Sequence, residues 1–189
     1  MNLYASAWQT VGPFFSIGMN PRYLSDIAGP NAAGERIAIA GRVFDGADAP
    51  IRDAVLEIWQ ANAHGKYAHP EDLQDKPWDP GFRGYGRIPT DDNGAFRFTT
   101  IKPGSVDSPG GVPQAPHLVV NLMMRGLLRG LTTRIYFPNE GLNDRDEILR
   151  LVEPERRNTL LLVPEGAGGG HFRWDVHMQG KAETVFFDF

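Results

Sequence analysis

The chain of 189 residues contains no cysteine, which removes disulfides, thiolate-bound zinc and thiol nucleophiles in one step. It has no apolar run near the length of a membrane span. Nor does a charged N-terminal region precede an apolar stretch, so no secretory signal is expected and the cytoplasm is the expected compartment. Basic clusters are absent too: Arg156-Arg157 is as dense as the cations become, and the net charge is −4. Nothing there could neutralise a row of phosphates, so neither nucleic acid nor a membrane is an expected partner. Internal repeats and low-complexity tracts are also missing. What remains is ordinary for a soluble globular protein, with 41% apolar and 22% charged residues. The length suits a single domain, 1–189, able to bury a real core.

Glycine (22) and proline (15) are spread along the chain and punctuate short apolar segments instead of marking one linker. "RIAIAGRVFDG" (36–46) reads as a strand ended by Asp45-Gly46, and "DAVLEIWQA" (53–61) as its hairpin partner. "DDNGAFRFTTIKPG" (91–104) opens on an Asn93-Gly94 turn, after which Phe96 and Phe98 alternate with Arg97 and Thr99. Further strands are expected at 117–124, 132–137 and 159–163. In "HFRWDVHMQG" (171–180), Phe172, Trp174, Val176 and Met178 share one face and His171, Arg173, Asp175 and His177 the other. A short helix is expected over about 143–153, capped by Asn143, acidic in its first turns and stopped by Pro154. Many short strands between turn signals predict an all-β, two-sheet sandwich with long loops and one short helix. The longest loop, 61–89, exceeds what a compact domain needs for connection alone.

Five histidines are the candidates for chemistry: His64, His69, His117, His171 and His177. His64 and His69 sit in the long loop and read as solvated, since a metal site needs three or four ligands and a supporting shell. His171 and His177 lie about 20 Å apart along an extended strand and cannot share an ion. His117 opens an apolar strand, but Val119 stands where a second ligand on the same face would be, so alone it reads as a core or edge histidine. "GAGGG" (166–170) lacks the spacing and Lys-Ser/Thr of a phosphate loop. "QTVGPFF" (9–15) is an extended, low-entropy segment that packs on the body or lines a pocket. Arg134, inside "TTRIYF", is unremarkable on an outward face and suited to a carboxylate beside a pocket.

Taken together, "WQTVGPFF", "GRVFDG", "LEIWQANAHGKY", "GYGR", "TDDNGAFRFTTIKPG", "APHLVVNLMMRG", "TRIYF" and "GKAETVFFDF" resemble the intradiol ring-cleavage dioxygenases, in order and over nearly the whole chain. The resemblance implies the β-sandwich of that family. It also implies a non-haem Fe(III) held by two tyrosinates and an H-x-H histidine pair, hard anionic oxygen donors being suited to that ion. Placed on this pattern, His117 is the first histidine, Val119 replaces the second, Gln74 replaces one tyrosine, and "SVDSPGG" (105–111) holds no tyrosine for the other. His117 is then a remnant, and this chain itself is expected to bind no metal and to supply no catalytic residue.

The departure matches the non-metal chain of two-chain members, whose homologous beta chain carries the Fe(III), with the active site at their interface. A higher hetero-oligomer of such alpha–beta pairs, a small aromatic diol and O2 are the implied partners. Thr10, Gly12, Pro13 and Arg134 would line the substrate cavity, and residues 1–35 would pack on or line the subunit interface. Two alternatives remain beside this. One is a self-sufficient iron enzyme using Tyr67, Tyr85, His117 and His69; the other is a non-catalytic scaffold or binding protein descended from the family. The apolar "TVFFDF" tail is expected to be a final strand on the core, or part of the interface.

Overall fold

Phe96 and Phe98 are buried while Arg97 and Thr99 are exposed, as their alternation predicts. The computed structural model describes residues 4, 6–12, 14–109, 111–166 and 168–188. Its strands are β1 (Arg36–Phe44), β2 (Val55–Gln60), β3 (Tyr85–Pro89), β4 (Ala95–Ile101), β5 (His117–Met123), β6 (Leu131–Tyr136), β7 (Val163–Pro164), β8 (His171–Arg173) and β9 (Val176–His177). A five-stranded sheet runs β4-β1-β8-β7 with β9 also on β1, and a four-stranded sheet runs β3-β2-β5-β6. Their inner faces meet through Ile37, Ile39, Val43, Phe96 and Phe98 on one side and Leu56, Ile58, Leu118, Val120 and Ile135 on the other. Each such side chain, fully buried, contributes about 1.5–3 kcal/mol relative to exposure. This is the predicted sandwich.

The expected β1–β2 hairpin does not form. β1 has β4 on one side and β8 and β9 on the other, while β2 lies between β3 and β5, so neither has a free edge for the other. The Asp45 carboxylate accepts the Ala47 and Ala49 amides and closes a tight turn, from which the chain crosses to the second sheet. The helix expected over 143–153 is replaced by turns and two 3-10 stretches, Leu149–Leu151 and Pro154–Leu160. The capping side chain there is Asp146, which accepts the Ile148 and Leu149 amides, whereas Asn143 donates to the Phe137 carbonyl. Because the Asp146 carboxylate takes the Ile148 and Leu149 amides as a cap does, it starts a turn and does not sit inside a helix, and Pro154 begins a 3-10 stretch where it was expected to end a helix.

The α-helix among the described residues is α1 (Phe14–Met19). Of the stretch 159–163, the first two residues end the second 3-10 segment, Leu161 bridges Tyr136 and Val163 opens β7; the 171–180 strand breaks at Trp174, whose indole donates to the Thr159 carbonyl (3.0 Å). The alternation in that stretch nevertheless holds, with Trp174 and Val176 buried. Leu24 bridges Arg87 and Asp26 bridges Thr99, so the N-terminal segment stitches the two sheets together at their β3 and β4 edges. The C-terminal tail adds to the edge of β6, with the Phe187 amide donating to the Thr132 carbonyl (2.7 Å). No helix among the described residues is long and apolar enough to cross a membrane.

Candidate functional site

Across the outer face of the second sheet, strand register aligns Arg134, Val119, Trp59 and Tyr85 on β6, β5, β2 and β3. His117 and Tyr136 form the adjoining pair. The long loop after β2 folds back over this row. Tyr67 stacks on Trp59 with ring centroids 5.6 Å apart, and His69 meets the same indole edge-on. Gly65, at φ +83, lets the loop approach so closely that a Cβ there would lie 1.8 Å from the Ser105 carbonyl oxygen. Gln74 donates to the Gly65 carbonyl and the Asp72 carboxylate, and accepts the Asp107 amide at 2.8 Å. A cavity of about 600 Å³ lies between Trp59, Tyr67, His69, Leu73 and Gln74.

His117 is 3% exposed and its Nδ1 lies 2.7 Å from the Ala115 carbonyl, which requires that nitrogen to carry the hydrogen. Burial, aided by the positive charge of Arg134, brings its pKa down to about 4, so it is neutral at pH 7. Arg134 donates through Nη1 to Gln114 Oε1 (2.8 Å) and to the Tyr136 hydroxyl (3.4 Å). Its Nε is buried with no partner among the described residues. The Tyr136 hydroxyl donates onward to Asp146 (3.0 Å), a fully buried carboxylate that also accepts the Ala115 amide. Burial raises the phenols of Tyr67 and Tyr136 above their ordinary value, against the pull of Arg134. Burial and the Glu57 carboxylate push Tyr85 up to about 12, and Glu57 is shared with Arg87.

These residues do not fit the iron that the family implies. Val119 offers no donor atom, the Gln74 amide is occupied by backbone and Asp72, and the Tyr85 hydroxyl is taken up by Glu57. Arg134 already brings a positive charge to the place. Among the described residues no group of three or more His, Asp or Glu could hold a metal ion.

The N-terminal segment is a second, separate place. Thr10 Oγ1 accepts the Gly126 amide (2.8 Å) in the connection between β5 and β6, and the Gly12 carbonyl accepts the Phe15 amide at the start of α1. Pro13 lies outside the described residues. Trp8, Phe14 and Ile17 present their apolar side chains to solvent, at 69%, 80% and 61% exposure. Arg134 is bonded to Gln114 and Tyr136. The cation next to the Thr10 contact is Arg125, which precedes Gly126 and pairs with Asp53. Sequence reasoning passed over Arg125; its only signal was a position just after an apolar strand and before a glycine.

The chain was compared with known proteins. Residues 21–180 match the model of a dioxygenase family described as Dioxygenase. The protocatechuate 3,4-dioxygenase alpha chain of Pseudomonas putida is 40% identical over 195 residues, spanning 96% of this chain and 94% of that one. The beta chain of the same enzyme from Burkholderia cepacia is 37% identical over 160 residues, spanning 80% and 67%. Among solved structures, 3-chlorocatechol 1,2-dioxygenase of Rhodococcus opacus 1CP superposes with a TM-score of 0.66 over 93% of this chain and 68% of that one. At 23% identity that likeness speaks for the fold alone.

Proposed function

We propose a function from one premise: the chain belongs to the dioxygenase family matched over residues 21–180. It is the alpha subunit of a protocatechuate 3,4-dioxygenase, a cytoplasmic enzyme of aromatic catabolism. The enzyme breaks the ring bond between the two hydroxyl-bearing carbons of protocatechuate. Both atoms of O2 enter the product, β-carboxy-cis,cis-muconate, and no external reductant is consumed. The observation that carries this reading is the likeness to an alpha chain over nearly the full length of both proteins.

The Fe(III) belongs to the homologous beta chain, and alpha–beta pairs build a higher hetero-oligomer. The donor set around His117 supports this division, since it offers an iron ion neither enough ligands nor a neutral surrounding. This chain is one domain, 1–189, whose contribution is pocket wall. Thr10, Gly12 and Pro13 line the substrate cavity of the partner, and residues 1–35 carry the interface. The exposed Trp8, Phe14 and Ile17 supply its apolar contact, which their exposure in the single chain supports. Arg125, beside that segment, suits a carboxylated substrate. Closing the wall excludes water and strengthens every charge interaction inside.

The test is iron content with a visible spectrum, on this chain alone and after co-purification with its beta partner. Iron and a tyrosinate-to-Fe(III) band are expected in the complex only. Stoichiometric iron with the same band in the lone chain would overturn the assignment.

A further inference from the structure

The buried network around His117 contains a fixed anion and a fixed cation. Asp146 is wholly excluded from solvent and joins Ala115, Ile148, Leu149 and Tyr136. Leaving such a carboxylate without a counter-charge is strongly destabilising. Arg134 faces it through the Tyr136 hydroxyl, which accepts from the guanidinium and donates to the carboxylate. The same guanidinium is held by Gln114 from the segment entering β5, and its field reaches His117 and Tyr67 as well as Tyr136. One positive group therefore ties β6, the approach to β5 and the turn at Asp146 into one network. In iron-bearing relatives of this fold, a metal cation would occupy the centre marked by His117.

We infer that Arg134 has taken the place of the metal as the cation of this centre, so that the chain excludes metal ions by charge as well as by lost ligands. This rests on the family reading above, since it is the resemblance that makes His117 a former ligand position. A second cation would lie against a guanidinium in a poorly hydrated setting, where repulsion is weakly screened. Restoring the histidine pair is then insufficient by itself. Val119 lies directly opposite Arg134 in the strand register, so an imidazole introduced there meets the guanidinium across the ladder.

The experiment compares Q74H/V119H, R134L and Q74H/V119H/R134L with the wild type, each as the full chain co-purified with its beta partner. Zinc(II) is the probe, counted per alpha–beta pair after removal of free metal, together with the melting temperature. About one added zinc per pair is expected in Q74H/V119H/R134L, which has three histidines at the ligand positions of the family pattern, and none in Q74H/V119H. Equal zinc in the two variants, whether none or one, overturns the claim that charge bars the ion. R134L is expected to melt about 5 °C lower than wild type, because the buried Asp146 carboxylate loses the half-buried cation it reaches through the Tyr136 hydroxyl. An unchanged melting temperature overturns the counter-charge role. Should R134L fail to fold, R134K keeps the charge without the fork and is expected to retain most of the stability. If R134K is also unable to fold, shape and not charge is what the site requires, and the inference falls. The partner's iron, counted in the same samples, reports on the proposed function separately: its absence from the wild-type complex would sink that reading and leave the zinc comparison standing.

Discussion

The centre around His117 and the segment around Thr10 are opposites. The first is closed: His117, Tyr136 and Asp146 are buried, and nearly every polar atom there has a partner inside the chain. The second is open, with Trp8, Phe14 and Ile17 facing solvent and, among the described residues, a side-chain bond from the Gly126 amide to Thr10 tying it to the body. A closed polar network serves the chain that contains it, because it has satisfied its own groups. An open apolar segment serves something outside, because leaving that surface in water costs free energy. On the proposed function, the interior around His117 is structural and the substrate-facing residues stand at the margin.

Four measurements sharpen or break this contrast. D146A strands the Ala115, Ile148 and Leu149 amides and is expected to cost about 3–5 kcal/mol of stability, read from urea unfolding. A loss under 1 kcal/mol would mean that the closed centre is not structural.

The second concerns pH. His117 has its folded pKa near 4, below the unfolded value, so the unfolded chain binds the extra proton as pH falls. Stability is therefore present above pH about 6.5 and is lost as pH falls towards 4, by about 3 kcal/mol in total. H117Q should remove that part of the slope, leaving the carboxylate contribution. Parallel curves for the two proteins would show that His117 is not buried neutral.

Third, deleting residues 1–13 should leave the melting temperature of the sandwich within a few degrees. The same deletion should lower turnover by the alpha–beta complex about 10- to 100-fold, through loss of pocket wall. Full activity after deletion would remove the N-terminal segment from the site. The smallest effect is expected for T10A, which frees one amide: a few-fold in kcat/KM and about 1 kcal/mol or less in stability.

The strands were legible wherever alternation was strict. Phe96 and Phe98 against Arg97 and Thr99 fix a face without any knowledge of the partner strand, because a pleated strand presents every second residue to one side. Strand pairing was not legible. The segment 36–61 looks like a hairpin until β8 and β9, more than a hundred residues on, are seen to occupy the free edge of β1. The 143–153 helix failed for a similar reason. Asp146 looks like a first-turn acid, and only the distant Ala115 amide and Tyr136 hydroxyl reveal it as a buried acceptor.

Of the candidate site residues, Thr10 was found through the family likeness and is seen bound to Gly126, while Arg134, expected to line the same substrate cavity, is seen bonded to Gln114 and Tyr136. Nothing local distinguishes the two arginines. Each follows or interrupts an apolar strand, and it is the connection between β5 and β6 that brings Arg125 to the Thr10 segment.

By itself the sequence determined the class of fold, through the period of its apolar residues, and it set Val119 and Gln74 at positions where the family resemblance implies iron ligands. Both are decided by which residue stands where, and neither needs a partner strand to be known. The tertiary structure alone decided which groups each cation meets. A guanidinium at the end of a long side chain takes its role from groups brought to it by strand register and loop closure, here Gln114 and Tyr136 for Arg134 and Asp53 for Arg125.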